Sequence, residues 1–326
     1  MCSIKLINRY KEIRFTVYRP IHMICYQMLW GGCMNFVKGE LVTRISYEHD
    51  LLFKIIAIKD DEAILHGIDM RLEADAPIDD LARVDDKELK ERNRTGKEQE
   101  EFSYRLFKQD YQMLREKRDF DSTDKYQQDT NYFRLPIKVL HLDGDQSYLK
   151  KCIDLYQRLG IQIHGTYMNE KEMPLEVGNL VRKIQPNIVV ITGHDAYSKN
   201  KGQKKDLRAY RNSSYFSETV RKVREITPHP DQLVIFAGAC QSHFESLIRA
   251  GANFASSPQR VNIHALDPVY IVAKIAYTAF MEKVNLWDVL RNTLTGEKGM
   301  GGIETRGLHR IGMPYIPNED EIPSHH

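Results

Sequence analysis

The chain has 326 residues, enough for about two domains, and its 47 Lys and Arg nearly balance its 45 Asp and Glu. This balance provides no bulk electrostatic attraction to nucleic acid or to a membrane surface. No apolar run approaches the roughly 20 residues that span a bilayer, and the five cysteines lack the spacing of a disulfide framework or a zinc site. We therefore expect a soluble protein of a reducing compartment.

Residues 1–33 differ in character from the rest of the chain, because their short apolar patches are interrupted by Arg and Tyr and resemble no signal peptide. The codons for Trp30–Cys33 can readily contain a ribosome-binding sequence just before the codon of Met34. We hypothesise that the protein begins at Met34 and that residues 1–33 are translated upstream sequence. A disordered extension is the alternative, and N-terminal sequencing of the native protein distinguishes the two.

Residues 34–84 contain four β-type runs, ELVTRISY, LLFKIIAI, EAILHGID and MRLEADAP, which are separated by turn formers such as Lys59-Asp60-Asp61. Several strands within so short a segment predict a small SH3-like β-barrel. His66 lies within one of these strand patterns, and we interpret it as a structural histidine rather than a ligand.

Residues 85–131 are rich in both charge signs and poor in aliphatic side chains. This composition predicts a charged linker with one exposed helix around Glu98–Arg118. Such a helix can be solvated or can dock a partner, and the sequence leaves both interpretations open.

Residues 132–318 alternate between short apolar runs and amphipathic helical patterns, and residues 319–326 form a short polar tail. Strands are predicted at IKVLHLD, IQIHGTYM, NIVVIT, QLVIFAG and NFASSP, each followed by a helical pattern or a loop. The alternation predicts an α/β domain with a doubly wound, mostly parallel sheet. In such sheets, ligands and chemistry lie at the carboxyl ends of the strands.

Polar side chains follow four of these predicted strands. The first strand ends in Asp143–Asp145, the second near His164-Gly165, the third in Gly193–Asp195 and the fourth in Cys240. If the third and fourth strands are neighbours, His194 and Cys240 emerge at the same edge of the sheet. We therefore place the candidate site there.

Cys240 and Cys152 have contrasting sequence contexts. Cys152 falls inside an amphipathic helical pattern and is interpreted as a core residue. Cys240 lies at a predicted strand-to-helix junction, where a helix N-terminus would lower the thiol pKa and supply oxyanion donors. His194 is the preferred base for this nucleophile, although His164 and His264 remain alternatives.

The block from VLHLDGDQSYLKKC through NIVVITGHD and LVIFAGACQSHFES to GGIETRGLHRIGMPY resembles the YabG family of sporulation-specific cysteine proteases. The resemblance covers about Met34 to Ile316. It extends distantly to the caspase, legumain and gingipain group, in which one strand ends in the catalytic histidine and a later strand ends in the cysteine. A caspase-like fold is therefore implied. That group shows His-Gly, whereas here Gly193 precedes His194.

The resemblance also implies roles for further residues. Members cleave after Arg, so the S1 pocket that holds this side chain needs a carboxylate, and we nominate Asp143 and Asp145, with Asp195 as a weaker third. The backbone N–H of Cys240, and one near Gly193, are the predicted oxyanion donors. A Cys–His dyad of this type requires no metal and no cofactor.

The implied substrates are proteins of the spore coat and its assembly machinery, in the cytoplasm of the sporulating cell or in association with the coat; nucleic acid and membrane are not expected partners. Because the 85–131 segment is rich in Arg and Lys, including Arg92, Arg94, Arg115 and Arg118, we also expect self-cleavage there.

Two alternatives to a protease remain at this point. Gly-x-Cys after a strand also suits a class I amidotransferase-like hydrolase, but Ser242 stands where that pattern prefers glycine. Such an enzyme also needs a downstream His-acid pair, for which His264 with Asp267 is the nearest substitute. The other alternative is a non-enzymatic module that binds coat proteins.

Overall fold

The structure, a computed structural model, describes residues 36–122 and 133–312, which fall within one structural unit. The predicted extension 1–33, the start at Met34 and the tail 319–326 lie outside these described residues. In the two described ranges, no helix is both long and apolar enough to cross a membrane.

The N-terminal part of the unit is an antiparallel sheet of five strands in the order β4-β3-β2-β1-β5. These strands are β1 (Leu41–Arg44), β2 (Phe53–Lys59), β3 (Glu62–Gly67), β4 (Glu73–Pro77) and β5 (Leu81–Arg83). Side chains alternate between the two faces of each strand, so Ala63 and Leu65 of β3 are buried while their neighbours are not. The closure of this sheet into an SH3-like barrel stays a prediction.

One predicted strand is shorter than its sequence pattern. The run MRLEADAP predicts a strand from Met70, but β4 begins only at Glu73. Two residues of this run instead form isolated bridges with the C-terminal part of the chain: Met70 pairs with His264, and Leu72 pairs with Asp195. Long-range pairing therefore overrides the local β preference.

The charged segment forms one long helix, α1 (Asp86–Ser122), which starts earlier and ends later than the predicted Glu98–Arg118. The Asp85 carboxylate caps its first turn by accepting the Glu88 N–H at 2.6 Å. Phe107 on this helix is buried against the ring of Tyr270, with 5.8 Å between the ring centroids. The helix is thus packed on its own chain along one side.

The C-terminal part is an α/β domain whose main sheet has six strands in the described residues. Its helices and strands are, in chain order, β6 (Phe133–Arg134), β7 (Lys138–Asp143), α2 (Gln146–Arg158), β8 (Gln162–Tyr167), α3 (Met173–Ile184), β9 (Ile188–Thr192), α4 (Ser213–Ile226), β10 (Val234–Ala237), α5 (Phe244–Ala250), β11 (Phe254–Ser256), α6 (Asp267–Tyr277), β12 (Lys283–Val284), α7 (Leu286–Arg291), β13 (Met300–Gly302), β14 (Thr305–Arg306) and β15 (Ile311–Gly312).

The order of the main sheet is β13-β11-β10-β9-β7-β8. Strands β7 to β11 run parallel, and β13 joins the edge antiparallel. The predicted α/β class with a mostly parallel sheet is confirmed, and the caspase-like assignment stays a prediction. Every residue of β9 is buried because helices cover both faces of the sheet.

Strands β9 and β10 are direct neighbours, with Ile191 opposite Ala237. Strand β7 lies on the other side of β9, where Asp143 pairs with Thr192. The segments that follow these three strands therefore meet at one edge, which is the arrangement needed for the predicted site.

Candidate active site

Cys240 lies in a tight turn after β10 that only a glycine at position 238 permits. Gly238 has φ +110°, and a Cβ there would lie 2.3 Å from Ser256 Oγ. Gln241 has φ +55°, a left-handed conformation that costs energy and has to be held in place by its surroundings. Ser242 Oγ supplies part of that hold, because it accepts the Ala239 N–H and donates to Asp195 Oδ2, both at 2.9 Å.

The Cys240 thiol is fully buried, and burial raises its pKa well above the usual range. Its sulfur lies 3.2 Å from the Ile263 nitrogen and 3.6 Å from the Ile263 oxygen. The expectation of a lowered pKa is wrong for this conformation, because burial of the thiol dominates and the next helix, α5, starts only at Phe244.

His194 follows β9 and is 1% exposed. Its backbone N–H donates to Glu170 Oε1 at 2.9 Å, which fixes the position of the residue. The ring Nε2 lies 3.4 Å from Asp145 Oδ2 but has no hydrogen-bond partner of adequate geometry among the described residues. A buried imidazole nitrogen without a partner is available to a reacting group. No hydrogen bond joins it to Cys240 in this conformation.

His66 of β3 contributes a second imidazole to the site. Its ring stacks on that of His194 with 3.7 Å between centroids, and it lies 3.7 Å from Glu73 and 3.8 Å from Asp145. Burial opposes its protonation, but the two carboxylates raise its pKa to about 9. The interpretation of His66 as a merely structural histidine therefore missed that it places a positive charge beside His194.

Arg71 and Asp143 form a buried ion pair. The guanidinium of Arg71, from the β3–β4 connection, is fully buried and donates from Nη1 to both oxygens of Asp143, at 3.0 and 2.8 Å. It also donates to the Ala265 carbonyl at 3.0 Å and lies 3.4 Å from the sulfur of Cys152. Burial opposes ionisation of Asp143, but the charge of Arg71 keeps its pKa below the usual range.

The backbone of Arg71 is held as closely as its side chain. Its carbonyl oxygen accepts the N–H of Cys240 at 3.2 Å and faces the N–H of Asp195 at 3.5 Å, while its own N–H donates to the Ile263 carbonyl at 3.2 Å. Two backbone N–H groups are thus directed at one carbonyl oxygen next to Cys240.

Gly193 provides space for the side chain of Glu170. A Cβ on Gly193 would lie 2.4 Å from Glu170 Oε1, so the glycine lets that carboxylate approach the His194 backbone. The second N–H directed at the carbonyl oxygen is therefore that of Asp195, a donor that the sequence argument did not name.

The three nominated carboxylates occupy distinct environments. Of the three, only Asp143 contacts a guanidinium, that of Arg71. Asp145 caps α2 by accepting the N–H groups of Ser147 and Tyr148, and the charge and hydrogen bonds around it lower its pKa although burial opposes this. The buried Asp195 accepts from Ser242, Ser213 and the Asn212 backbone, and burial raises its pKa to about 6. It braces the Cys240 turn.

The alternative histidines lie elsewhere. His164 is exposed in the middle of β8, the outer strand, rather than at its end. His264 is buried, and burial lowers its pKa to about 4. Its ring Nε2 lies 3.6 Å from Glu100, whereas Asp267 accepts the backbone N–H of His264 at 3.3 Å. The predicted His264–Asp267 pair does not form through the imidazole.

Cys152 is confirmed as a core residue, since it is fully buried and burial raises its pKa to about 12. Sequence reasoning could not find Arg71, because its contacts with Asp143 and Ala265 span 72 and 194 residues. The one hint of Arg71 in the sequence was a single arginine near the predicted start of β4.

Among the described residues, three groups of side chains have ligand atoms within 4.8 Å of one another, as a metal ion would require. They are His66–Asp145–His194, His141–Asp143–Cys152 and Asp69–Glu100–His264. In the second group Arg71 already provides the positive charge that a cation would supply. In the first group the protonated His66 has the same effect, so neither arrangement favours a divalent ion.

Comparison with known proteins identifies the family. A profile described as YabG peptidase U57 matches residues 37–314. The chain belongs to this peptidase family. Over 290 residues it is 57% identical to the sporulation-specific protease YabG of Bacillus subtilis (strain 168), an alignment that covers 87% of this chain and 100% of that relative. No solved structure matches the chain. The resemblance stated from the strand-end motifs is thereby confirmed.

Proposed function

We propose that the protein is a sporulation-associated cysteine endopeptidase that cleaves spore-coat and coat-assembly proteins after arginine. One observation carries the proposal: the N–H groups of Cys240 and Asp195 converge on the carbonyl oxygen of an arginine whose guanidinium is paired with Asp143. The name of the Bacillus relative, a sporulation-specific protease, supports the cellular setting. The sporulating cell's cytoplasm, with association to the coat, is the proposed location.

In the proposed reaction, Cys240 is the nucleophile and His194 is the general base and acid. The Cys240 proton passes to His194 Nε2, and the sulfur attacks the carbonyl carbon of the substrate arginine. His194 then protonates the leaving amine, and water hydrolyses the thioester. Catalytic hydrogen bonds often tighten only when substrate is bound, which accommodates the absence of a Cys240–His194 bond in this conformation.

The N–H groups of Cys240 and Asp195 stabilise the oxyanion that forms during attack. Removal of one such donor typically costs about 100- to 1,000-fold in turnover. Asp145 lies 3.4 Å from His194 Nε2 and keeps negative charge beside the imidazole. The ring of His66 stacks on the same imidazole, with 3.7 Å between the ring centroids, so a carboxylate and a second imidazole both lie next to His194.

Arginine specificity follows from the environment of Asp143. The guanidinium bonds to both oxygens of this buried carboxylate through Nη1 and to the Ala265 carbonyl through Nε and Nη2, and the single nitrogen of an ammonium group cannot reproduce that spread of donors. A neutral or acidic side chain would leave these acceptors unpaired in a buried pocket, at a cost of about 1–3 kcal/mol for each group.

The test uses a purified coat-protein substrate, with cleavage sites mapped by mass spectrometry. Cys240→Ala should reduce cleavage by at least about a thousandfold while the circular dichroism spectrum stays unchanged. The matched variant Cys152→Ala removes the other buried cysteine of the described residues and should leave cleavage nearly unchanged. Cleavage by Cys240→Ala at the wild-type rate would refute the cysteine mechanism, and cuts after residues other than Arg would refute the specificity.

The amidotransferase-like alternative is weaker because His264 does not pair with Asp267 through its ring. His194→Gln and His264→Gln separate the two mechanisms, because only the residue that serves as the base is required for thioester formation. A coat-binding module without activity would retain coat-protein binding in Cys240→Ala and show no cleavage in the wild type.

A further inference from the structure

We propose that Asp69–Leu72 is an internal inhibitory segment, which occupies the substrate cleft with Arg71 in the S1 pocket. The inference rests on the proposed function and adds a regulatory role for the N-terminal sheet. Any external arginine substrate has to displace this segment before it can bind.

The backbone of the segment is held against residues 263–265 by an isolated antiparallel bridge and its flanking hydrogen bonds. Met70 forms an antiparallel bridge with His264. The Ala265 N–H donates to the Asp69 carbonyl at 2.8 Å, and the Arg71 N–H donates to the Ile263 carbonyl at 3.2 Å. Pairing of an extended segment with an exposed strand edge is a general mode of peptide recognition. The residues that precede the Arg71 carbonyl therefore lie as the residues before a scissile bond would lie.

The side chain of Arg71 completes this substrate-like arrangement. Its guanidinium is fully buried with Asp143, and its carbonyl oxygen faces the two proposed oxyanion donors. Burial of an ion pair is costly and rarely contributes net stability. The pair is therefore poorly explained as a device for stability alone, whereas a pocket built for arginine explains both the buried carboxylate and its occupant.

Three features indicate an inhibitor rather than a good substrate. The Leu72 N–H donates to the Met70 carbonyl at 2.8 Å, which bends the chain at the bond that would be cut. The Gly67 N–H donates to the Leu72 carbonyl at 2.9 Å, and Tyr148 donates to Met70 at 2.6 Å. The raised pKa of Cys240 keeps its thiol protonated in this conformation.

Both ends of the segment are also tied to the same sheet. Strands β3 and β4 are hydrogen-bonded neighbours, with His66 opposite Glu73. If the Arg71–Leu72 bond were cut, the new termini would remain next to each other at high effective concentration. Such a product would continue to block the cleft, as a tethered inhibitor does. An external substrate gains access only from the fraction of molecules in which the segment has left.

The experiment compares wild type, Arg71→Ala and Arg71→Gln in hydrolysis of a small arginine anilide. Arg71→Ala should raise kcat/KM by at least about tenfold, because the apparent affinity scales with the open fraction. Arg71→Gln should give a smaller rise in kcat/KM, since its amide can still bond to Asp143. This variant replaces Arg71→Ala in the test if Arg71→Ala fails to fold. The control is Arg211→Ala, which removes the 2.6 and 2.5 Å ion pairs to Glu73 and Asp75 on β4 without entering the cleft.

A second measurement tests occupancy without turnover. In a Cys240→Ala background, arginine amide should raise the Tm of Arg71→Ala by a few degrees, because it refills the vacated pocket, and it should leave the parent unchanged. Acceleration confined to the Arg71 variants, together with this stabilisation, is the expected result.

The outcomes distinguish the inhibitor from the proposed function. Equal kcat/KM in wild type and both Arg71 variants, or the same rise in Arg211→Ala, would overturn the inhibitory segment and leave the protease intact. A lack of turnover in every variant would overturn the inhibitor together with the proposed function.

Discussion

Replacement of Asp143 by Asn isolates the energetics of the buried ion pair. In the native protein both partners are fully buried, and Arg71 Nη1 lies 2.8 and 3.0 Å from the two carboxylate oxygens. The side-chain amide introduced by Asp143→Asn can accept one hydrogen bond but carries no charge. The guanidinium is then left buried without a counterion.

Loss of one partner of a buried pair costs about 3–5 kcal/mol. That is a large share of the roughly 5–15 kcal/mol by which a native domain is stable, and it corresponds to a fall in Tm of about 10 °C for a domain of this size. The double variant Arg71→Met/Asp143→Leu removes both charges and fills the space with apolar atoms. It should recover most of the loss, because the desolvation penalty disappears with the charges.

The assay is urea and thermal unfolding followed by circular dichroism, in a Cys240→Ala background to prevent self-digestion. The pH dependence gives an independent check with a defined sign. The native pKa of Asp143 is lowered, so its stabilisation is present above the unfolded pKa of about 4 and is lost as the pH falls through the native pKa. Asp143→Asn should lack this acid-side loss. A change below about 1 kcal/mol, or additive single variants in the double-mutant cycle, would refute the reasoning.

Three further predictions concern other parts of the site. Because the pKa of His66 is raised to about 9, its contribution of roughly 3 kcal/mol to the free energy of unfolding is present below pH 6.5 and is lost as the pH rises through 9. The free energy of unfolding of His66→Gln should therefore fall less steeply at alkaline pH than that of the wild type. An unchanged alkaline dependence contradicts the assignment. Gly238→Ala should destabilise the protein by more than about 1 kcal/mol and abolish cleavage, since its Cβ would lie 2.3 Å from Ser256 Oγ, whereas wild-type activity would show that the turn adapts. Incubation of the purified enzyme should release a fragment of about the catalytic domain by cuts within residues 85–131, visible by mass spectrometry, while Cys240→Ala stays whole; cleavage of that variant would point to a contaminating protease.

The sequence predicts the parts of the site that follow from parallel β topology. Adjacency of β9 and β10 brings the His194 and Cys240 segments to one edge, and an apolar run that ends in polar residues is visible without any structure. The helix α2 is equally local, because its amphipathic pattern predicts it. These features depend on periodicity along the chain.

The parts that sequence reasoning missed depend on contacts between distant segments. Arg71 lies in an apparent strand, and only the packing of the N-terminal sheet against the α/β domain shows that its side chain reaches Asp143. The charge on His66 depends likewise on Glu73 and Asp145. The pKa of Cys240 was predicted in the wrong direction because the burial of its thiol could not be seen in the sequence. No local pattern contains this information.

The long helix α1 separates the two halves of the ion pair along the chain, which matters if the α/β part is produced alone. A fragment that starts at Phe133 contains Asp143 but not Arg71, so its interior carries a carboxylate without a counterion. We expect such a fragment to be poorly soluble and to refold better when arginine is present in the buffer. The N-terminal sheet would then act as a folding partner for the domain that follows it, and co-expression of residues 36–84 as a separate chain should restore the yield.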